Sequence, residues 1–212
     1  MSTLPSHAPA DLSALSFVLR ERPGADKADD SLALVEPFAV PMPGGATASI
    51  APAWFDLVGD LQLRLVRDGD DSMLTLHASE LEELRLTPEE AVATALANFQ
   101  RRHGPPAISA WHNLQRVGGA EEDFDSGWFA DRGFWRARLA EHPAGVVAAV
   151  PRTDLLVFAP ASDTAAVDSM RHGIPGLHAG AGDWRLSSAL FLFADGRWTV
   201  LQPATPAPVD AA

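Results

Sequence analysis

No cysteine occurs among the 212 residues. That single absence removes disulfides, thiolate-bound zinc and cysteine nucleophiles. Lysine is nearly missing as well: Lys27 stands alone and the other fifteen basic residues are arginines, a coding bias with no mechanism attached. No stretch approaches the ~20 consecutive apolar residues that a membrane-spanning helix needs, so no membrane partner is expected. The opening Met1-Ser2-Thr3-Leu4-Pro5 has no basic region followed by an apolar run. A secretory leader is therefore not expected, and the cytoplasm is the expected compartment.

Signature motifs are missing too. The chain contains no G-x-S-x-G, no G-x-x-x-x-G-K-[ST], no H-E-x-x-H, and no G-x-G-x-x-G following a strand and opening a helix. The seven histidines are scattered; His172 and His178 lie in a Gly/Pro-containing stretch read as a loop, and His103 follows a helix end, where the dipole accounts for it. Asp68-Gly69-Asp70-Asp71-Ser72 resembles the start of a calcium loop but lacks the bidentate Glu at the twelfth position, so it reads as a hairpin turn. No metal and no cofactor are expected.

What is present is acid. The formal net charge is −12 and the pI about 4.8. Such a surface repels phosphate backbones, and no basic stripe appears, so nucleic acid is not an expected partner. Half of the charge excess sits in residues 67–90, which hold eight acids against two arginines. Asp68, Asp70, Asp71, Glu82 and Glu83 are the candidate residues of an acidic surface that would dock a basic protein. A solvated face accounts for the same residues.

The apolar content of 47% is ample for one core. The expected fold is a single α+β domain over residues 11–202, with a largely antiparallel sheet built from hairpins and helices packed against it. Segments 1–10 and 203–212, rich in Pro and Ala, are expected to fray. Residues 11–19 read as a helix ended by Pro23-Gly24, and 31–40 as a strand. Leu61, Leu63 and Leu65 alternate with polar residues and predict a strand returning through 73–77, with Leu74 and Leu76 on one face. Ser79 and Thr87 open helices through capping boxes, the second running to His103 with Val92, Leu96 and Phe99 as its buried stripe. Residues 108–117 read as one strand and 118–125 as an acidic loop. Asp131 caps a helix, 146–150 and 155–158 are central strands around a turn at 151–154, and 163–171 is a helix ended by the glycines of 173–182. Residues 190–193 and 198–201 form a hairpin through Asp195-Gly196.

Three stretches in this order carry a family likeness: residues 57–98, ending in LTPEEAVATALAN; DSGWFADRGFW at 125–135; and VVAAVPRTDLLVF at 146–158 with LSSALFLFADGRW downstream. Together, covering about two-thirds of the chain, they resemble the YtpQ-like bacterial proteins, a domain of unknown function. The resemblance implies a fold and a bacterial cytosolic setting and brings no activity. The family's turn between its two apolar strands is Pro-x-Arg-Asp-like. Here it is Pro151-Arg152-Thr153-Asp154, with the charged pair displaced.

Two constellations remain. Arg152 and Asp154, at a turn between central strands, would bind an anionic or polar ligand, or would simply close the turn. Asp125 and Asp131 lie near Trp128 and Trp135; acids beside aromatics suit a hydrolase, while core packing and a helix cap explain them equally. Trp54, Trp111 and Trp184 read either as interface anchors or as core. The expected function is a non-enzymatic interaction domain using the acidic surface. The second reading is a hydrolase-type enzyme using Asp125, Asp131 or Asp154.

Overall fold

A computed structural model describes residues 12–69, 72–119 and 122–205. Its strands are β1 (Leu15–Glu21), β2 (Ala33–Leu34), β3 (Phe38–Pro41), β4 (Thr47–Ile50), β5 (Trp54–Val58), β6 (Leu61–Asp68), β7 (Met73–Thr75), β8 (Ala107–Trp111), β9 (Leu114–Gly118), β10 (Val146–Arg152), β11 (Leu155–Pro160), β12 (Leu190–Ala194) and β13 (Arg197–Gln202). The α-helices are α1 (Ala78–Leu84), α2 (Pro88–His103), α3 (Arg132–Glu141) and α4 (Thr164–Ala179). Every strand pair is antiparallel, as expected of an α+β chain built from hairpins.

The strands form two main sheets. The first runs β1-β6-β5-β2 with β7 also on β6; the second runs β13-β12-β10-β11-β9-β8. Period-two alternation sorts the second sheet's side chains. Val146, Ala148, Val150, Leu156, Phe158, Phe191 and Phe193 enter the large core shared with Phe17, Leu19, Phe55 and Leu63 of the first sheet. Val147, Ala149, Val157 and Ala159 point the other way and pack on α4 through Ala166, Val167, Met170 and Ile174. This explains why β10 and β11 are apolar without interruption: both faces are covered.

Several sequence expectations are corrected. Leu12–Ala14 is a 3₁₀ turn and residues 15–21 are strand, because Leu15, Phe17 and Leu19 are buried at a period of two; Asp11 lies outside the described residues. The strand expected over 31–40 is broken into β2 and β3. Leu74 does not share a face with Leu76: it is 62% exposed while Leu76 is buried. The first capping box sits two residues earlier than Ser79, with Glu80 Oε2 accepting from His77 N–H at 2.8 Å. The second is as expected, Thr87 and Glu90 bonding reciprocally, but the fully buried positions of α2 are Ala91, Ala95, Phe99 and His103. Residues 108–117 are a hairpin turning at His112, and the segment expected as an acidic loop runs into a 3₁₀ helix over Glu122–Ala130.

The largest correction is α4, which continues through Gly173, Pro175 and Gly176 to Ala179. Those residues cost about 1 kcal/mol for each glycine and about 3 for the proline in a helix interior. Burial of Val167, Met170 and Ile174 on the sheet returns about 1.5–3 kcal/mol apiece, a gain of the size needed to offset that cost. Of the tail expected to fray, residues 203–205 are held: Thr205 N–H donates to Ser188 Oγ at 2.8 Å and Ala204 packs on the core.

Gly59 shows how closely the two sheets approach. It has φ +58°, its N–H donates to Lys27 O at 2.7 Å, and an added Cβ would lie 2.9 Å from the Phe191 ring. Gly59→Ala should destabilise the protein by about 3 kcal/mol, combining left-handed strain with overpacking. Gly24→Ala has φ +80° but nothing within 4 Å, and should cost only about 1 kcal/mol. Equal losses for the two variants in urea denaturation would contradict this packing of the sheets.

Candidate functional site

The sequence-selected residues separate into three places. Asp131 is the N-cap of α3: its Oδ1 accepts from Phe134 N–H at 3.0 Å and its Oδ2 from Gln100 Nε2 at 2.7 Å. Trp128 and Trp135 are core. Trp135 Nε1 donates to the carbonyls of Trp128 and Phe129 at 3.0 and 3.1 Å, and its ring meets Phe134, Phe158 and Trp198 edge-on. Asp125 is buried, accepting from Arg116 Nη2 at 2.9 Å and from Gly119 N–H at 2.7 Å.

Arg116 joins Asp125 to the β10–β11 turn, since Nη2 also donates to Asp154 O at 3.3 Å. Within that turn Arg152 forks onto Asp154, Nε to Oδ1 at 2.8 Å and Nη2 to Oδ2 at 2.5 Å. The turn is shorter than expected, with Arg152 paired directly to Leu155. It is also stitched on both sides: Ser126 N–H donates to Thr153 O and Thr153 N–H to Trp184 O, each at 3.0 Å. The structure therefore brings Asp125, Arg152 and Asp154 into one network and leaves Asp131 in a separate one. In that network the carboxylates hold loops together.

The acidic stretch is partly neutralised. Asp68 pairs with Arg102 and Glu80 with Arg67. Glu82 and Glu83 are exposed on α1 without an ion-pair partner among the described residues; Asp70 and Asp71 lie outside the described residues. Trp54 and Trp111 are half-buried, whereas Trp184 is 50% exposed.

Trp184 stands over a groove of about 310 Å³ that the sequence did not reveal. Its floor is β1. Arg22 N–H bonds Asp60 O, so the even residues of β1 face β6 with their hydrogen-bonding groups. The odd residues turn theirs to the open edge. Side chains serve two of these carbonyls, Asn98 Nδ2 donating to Leu15 O at 2.7 Å and Arg20 Nη1 to Leu19 O at 2.9 Å. Between them the main chain of Phe17 faces the groove with no strand beside it. Phe99, Phe124, Gly127 and Met73 supply apolar walls, and Ser126, Thr153 and Asp183 polar ones. Thr153 Oγ1 is buried without a hydrogen-bond partner. The period-two pattern of residues 15–19 signals the strand that floors the groove, and the helical reading concealed it.

A second missed cluster joins buried Asp60, Ser187 and His178. Ser187 Oγ donates to Asp60, and His178 Nε2 lies 3.5 Å from Glu21 Oε2. Burial pushes the Asp60 carboxyl up to about 6, with Glu21 and Asp26 adding to the rise and the Ser187 bond opposing it.

Comparison with protein-family models, curated proteins and solved structures finds no match for this chain. No helix among the described residues is long and apolar enough to cross a membrane, and no group of three or more potential metal ligands occurs there.

Because Asp60 titrates near 3.9 when unfolded and about 6 when folded, the folded state holds its proton more tightly. The cost of ionising Asp60 is absent below pH ~4 and complete above ~6, so stability is lost as pH rises through that window. Asp60→Asn should therefore gain about 2–3 kcal/mol on the wild type between pH 4 and pH 7.5. A pH-independent difference in urea denaturation would contradict it.

Proposed function

We propose that this protein is a non-enzymatic interaction domain that takes a short, extended apolar segment of a partner protein in the groove beside β1. The open edge at Phe17 carries the reading: its N–H and C=O are positioned to pair with an added strand, as in β-strand addition. Apolar walls would accept alternate side chains, and the Thr153 hydroxyl supplies an unmet hydrogen-bonding group. An exposed, unpaired edge is otherwise a hazard that proteins cover. Here Asn98 and Arg20 cover its flanks and leave the centre open.

The acidic surface has a supporting part in this proposal. Glu82 and Glu83, with Asp70 and Asp71, would steer a basic partner and raise its association rate. Membership of the YtpQ-like family and a cytosolic location belong to the same proposal, resting on the sequence resemblance. The hydrolase reading is weaker, because Asp131 caps a helix and Asp125 and Asp154 are held by arginines.

Selection from a displayed library of random peptides tests the groove. Binders should be apolar, and Trp184→Ala should weaken them about tenfold, the scale of a lost interface anchor. Glu82→Lys with Glu83→Lys should slow association at low salt and leave dissociation unchanged. Peptides bound equally by Trp184→Ala would remove the groove from the account.

A further inference from the structure

The second sheet ends at β8, and that edge is built unlike the opposite one. His112 and Asn113 make a two-residue turn, so Trp111 and Leu114 exchange their main-chain hydrogen bonds. Alternate residues repeat the pattern: Ser109 and Ala107 also face β9, and the N–H and C=O groups of Ile108 and Ala110 face outward. No hydrogen bond among the described residues reaches those outward groups. At the other edge β13 is covered, with Trp198 N–H donating to Asp30 Oδ2 at 2.9 Å and Thr199 bridged to Asp29. Uncovered edges are usually blunted by charge. Residues 104–115 nevertheless hold no Asp, Glu, Lys or Arg, in a chain of net charge −12.

The edge is also firm and sharply bounded. Pro106, which lacks an N–H, precedes Ala107, and the His112 turn follows Trp111, leaving an open strand of 5 residues. Asn113 Nδ2 donates to Ser169 Oγ at 2.9 Å and Trp111 packs against the core under α4, so the hairpin is held in place before any partner arrives. Ile108 continues the row of Val117 and Leu156 and is 37% exposed at its end. Ala110 continues the row of Gln115 and Phe158 on the same face. A large and a small side chain thus alternate along the open edge.

We propose that β8 pairs antiparallel with β8 of a second copy of this chain, about a two-fold axis at Ser109, joining two sheets into one. This register sets Ile108 of each copy opposite Ala110 of the other. Every outward N–H and C=O then finds a partner, and each large side chain lies beside a small one. The two Ser109 side chains meet across the axis as a non-hydrogen-bonded pair. Two copies of net charge −12 repel over most of their surface, and the uncharged edge lets them meet without placing like charges face to face. A basic partner would gain nothing here, since the acids that would attract it lie elsewhere.

Sedimentation equilibrium of the full-length protein should give twice the mass of 22.5 kDa at ~1 mM and dissociation on dilution. Ala110→Pro removes an outward N–H that β9 does not use, and Ile108→Lys charges the edge. Each should weaken association at least about tenfold, with an unchanged far-ultraviolet circular dichroism spectrum. The register is read separately. The chain has no cysteine, so Ser109→Cys supplies a single thiol where paired Cα atoms stand ~4.5 Å apart and can be bridged. Under mild oxidation it should form a covalent dimer at least about tenfold faster than Ile108→Cys, whose thiols lie on a diagonal beyond ~7 Å. A mass of 22.5 kDa at every concentration to ~1 mM, a dimer equally strong in Ala110→Pro and Ile108→Lys, or Ile108→Cys cross-linking as fast as Ser109→Cys would overturn the proposal. β8 contributes no residue to the groove beside β1, so either proposal can fail without the other.

Discussion

Burial of one aromatic cluster between the two sheets constrains everything else in this fold. Phe129 stacks on Trp198 with ring centres 4.3 Å apart, Trp135 meets Trp198 and Phe158 edge-on, and Phe191 closes on Phe129 at 5.1 Å. A buried indole nitrogen gains from a partner, and although Trp198 Nε1 is buried without one, the neighbouring indole has two. Trp135 Nε1 donates to the carbonyls of Trp128 and Phe129, which fixes the 3₁₀ segment Glu122–Ala130 against α3. That segment in turn supplies Phe124, Ser126 and Gly127 to the groove, and Asp125 to the arginine that steadies the β10–β11 turn. The groove is consequently a seam between sheets, and its shape depends on a core some residues away.

Charge is distributed with the same economy. Most acids near the candidate sites are occupied by backbone donors or arginines, as with Glu80 at His77, Glu90 at Thr87 and Asp30 at Trp198 N–H. Acids in first helical turns satisfy the local dipole, so composition alone overstated the free negative surface around residues 67–90.

Strong local signals made much of the fold legible. The Thr87 capping box with Pro88, the Asp195-Gly196 turn with both residues at positive φ, the Asp131 cap and the paired runs around Arg152 each combine propensity with turn chemistry. Errors arose where tertiary burial overrode local preference. Leu12 to Leu19 carries apolar residues that suit either period, and only pairing with β6 decides for strand. In α4, glycines and a proline argue for a loop until the sheet face beneath Ile174 is known. The site was less legible than the fold. Arg152 and Asp154 were found by sequence but serve the turn, whereas the open edge at Phe17 exists only through register. Nothing in a linear pattern reports which main-chain groups face away from a neighbour.

Native-state hydrogen exchange, read amide by amide, tests most directly the claim that both sheets form one cooperative unit around an open β1 edge. The account predicts that Val18 and Val66 in the first sheet and Ala148 and Leu192 in the second open only with global unfolding, at a common free energy, while Phe17 exchanges by a lower-energy route. A first sheet that opens well below the second, or a Phe17 amide as protected as that of Val18, would contradict it.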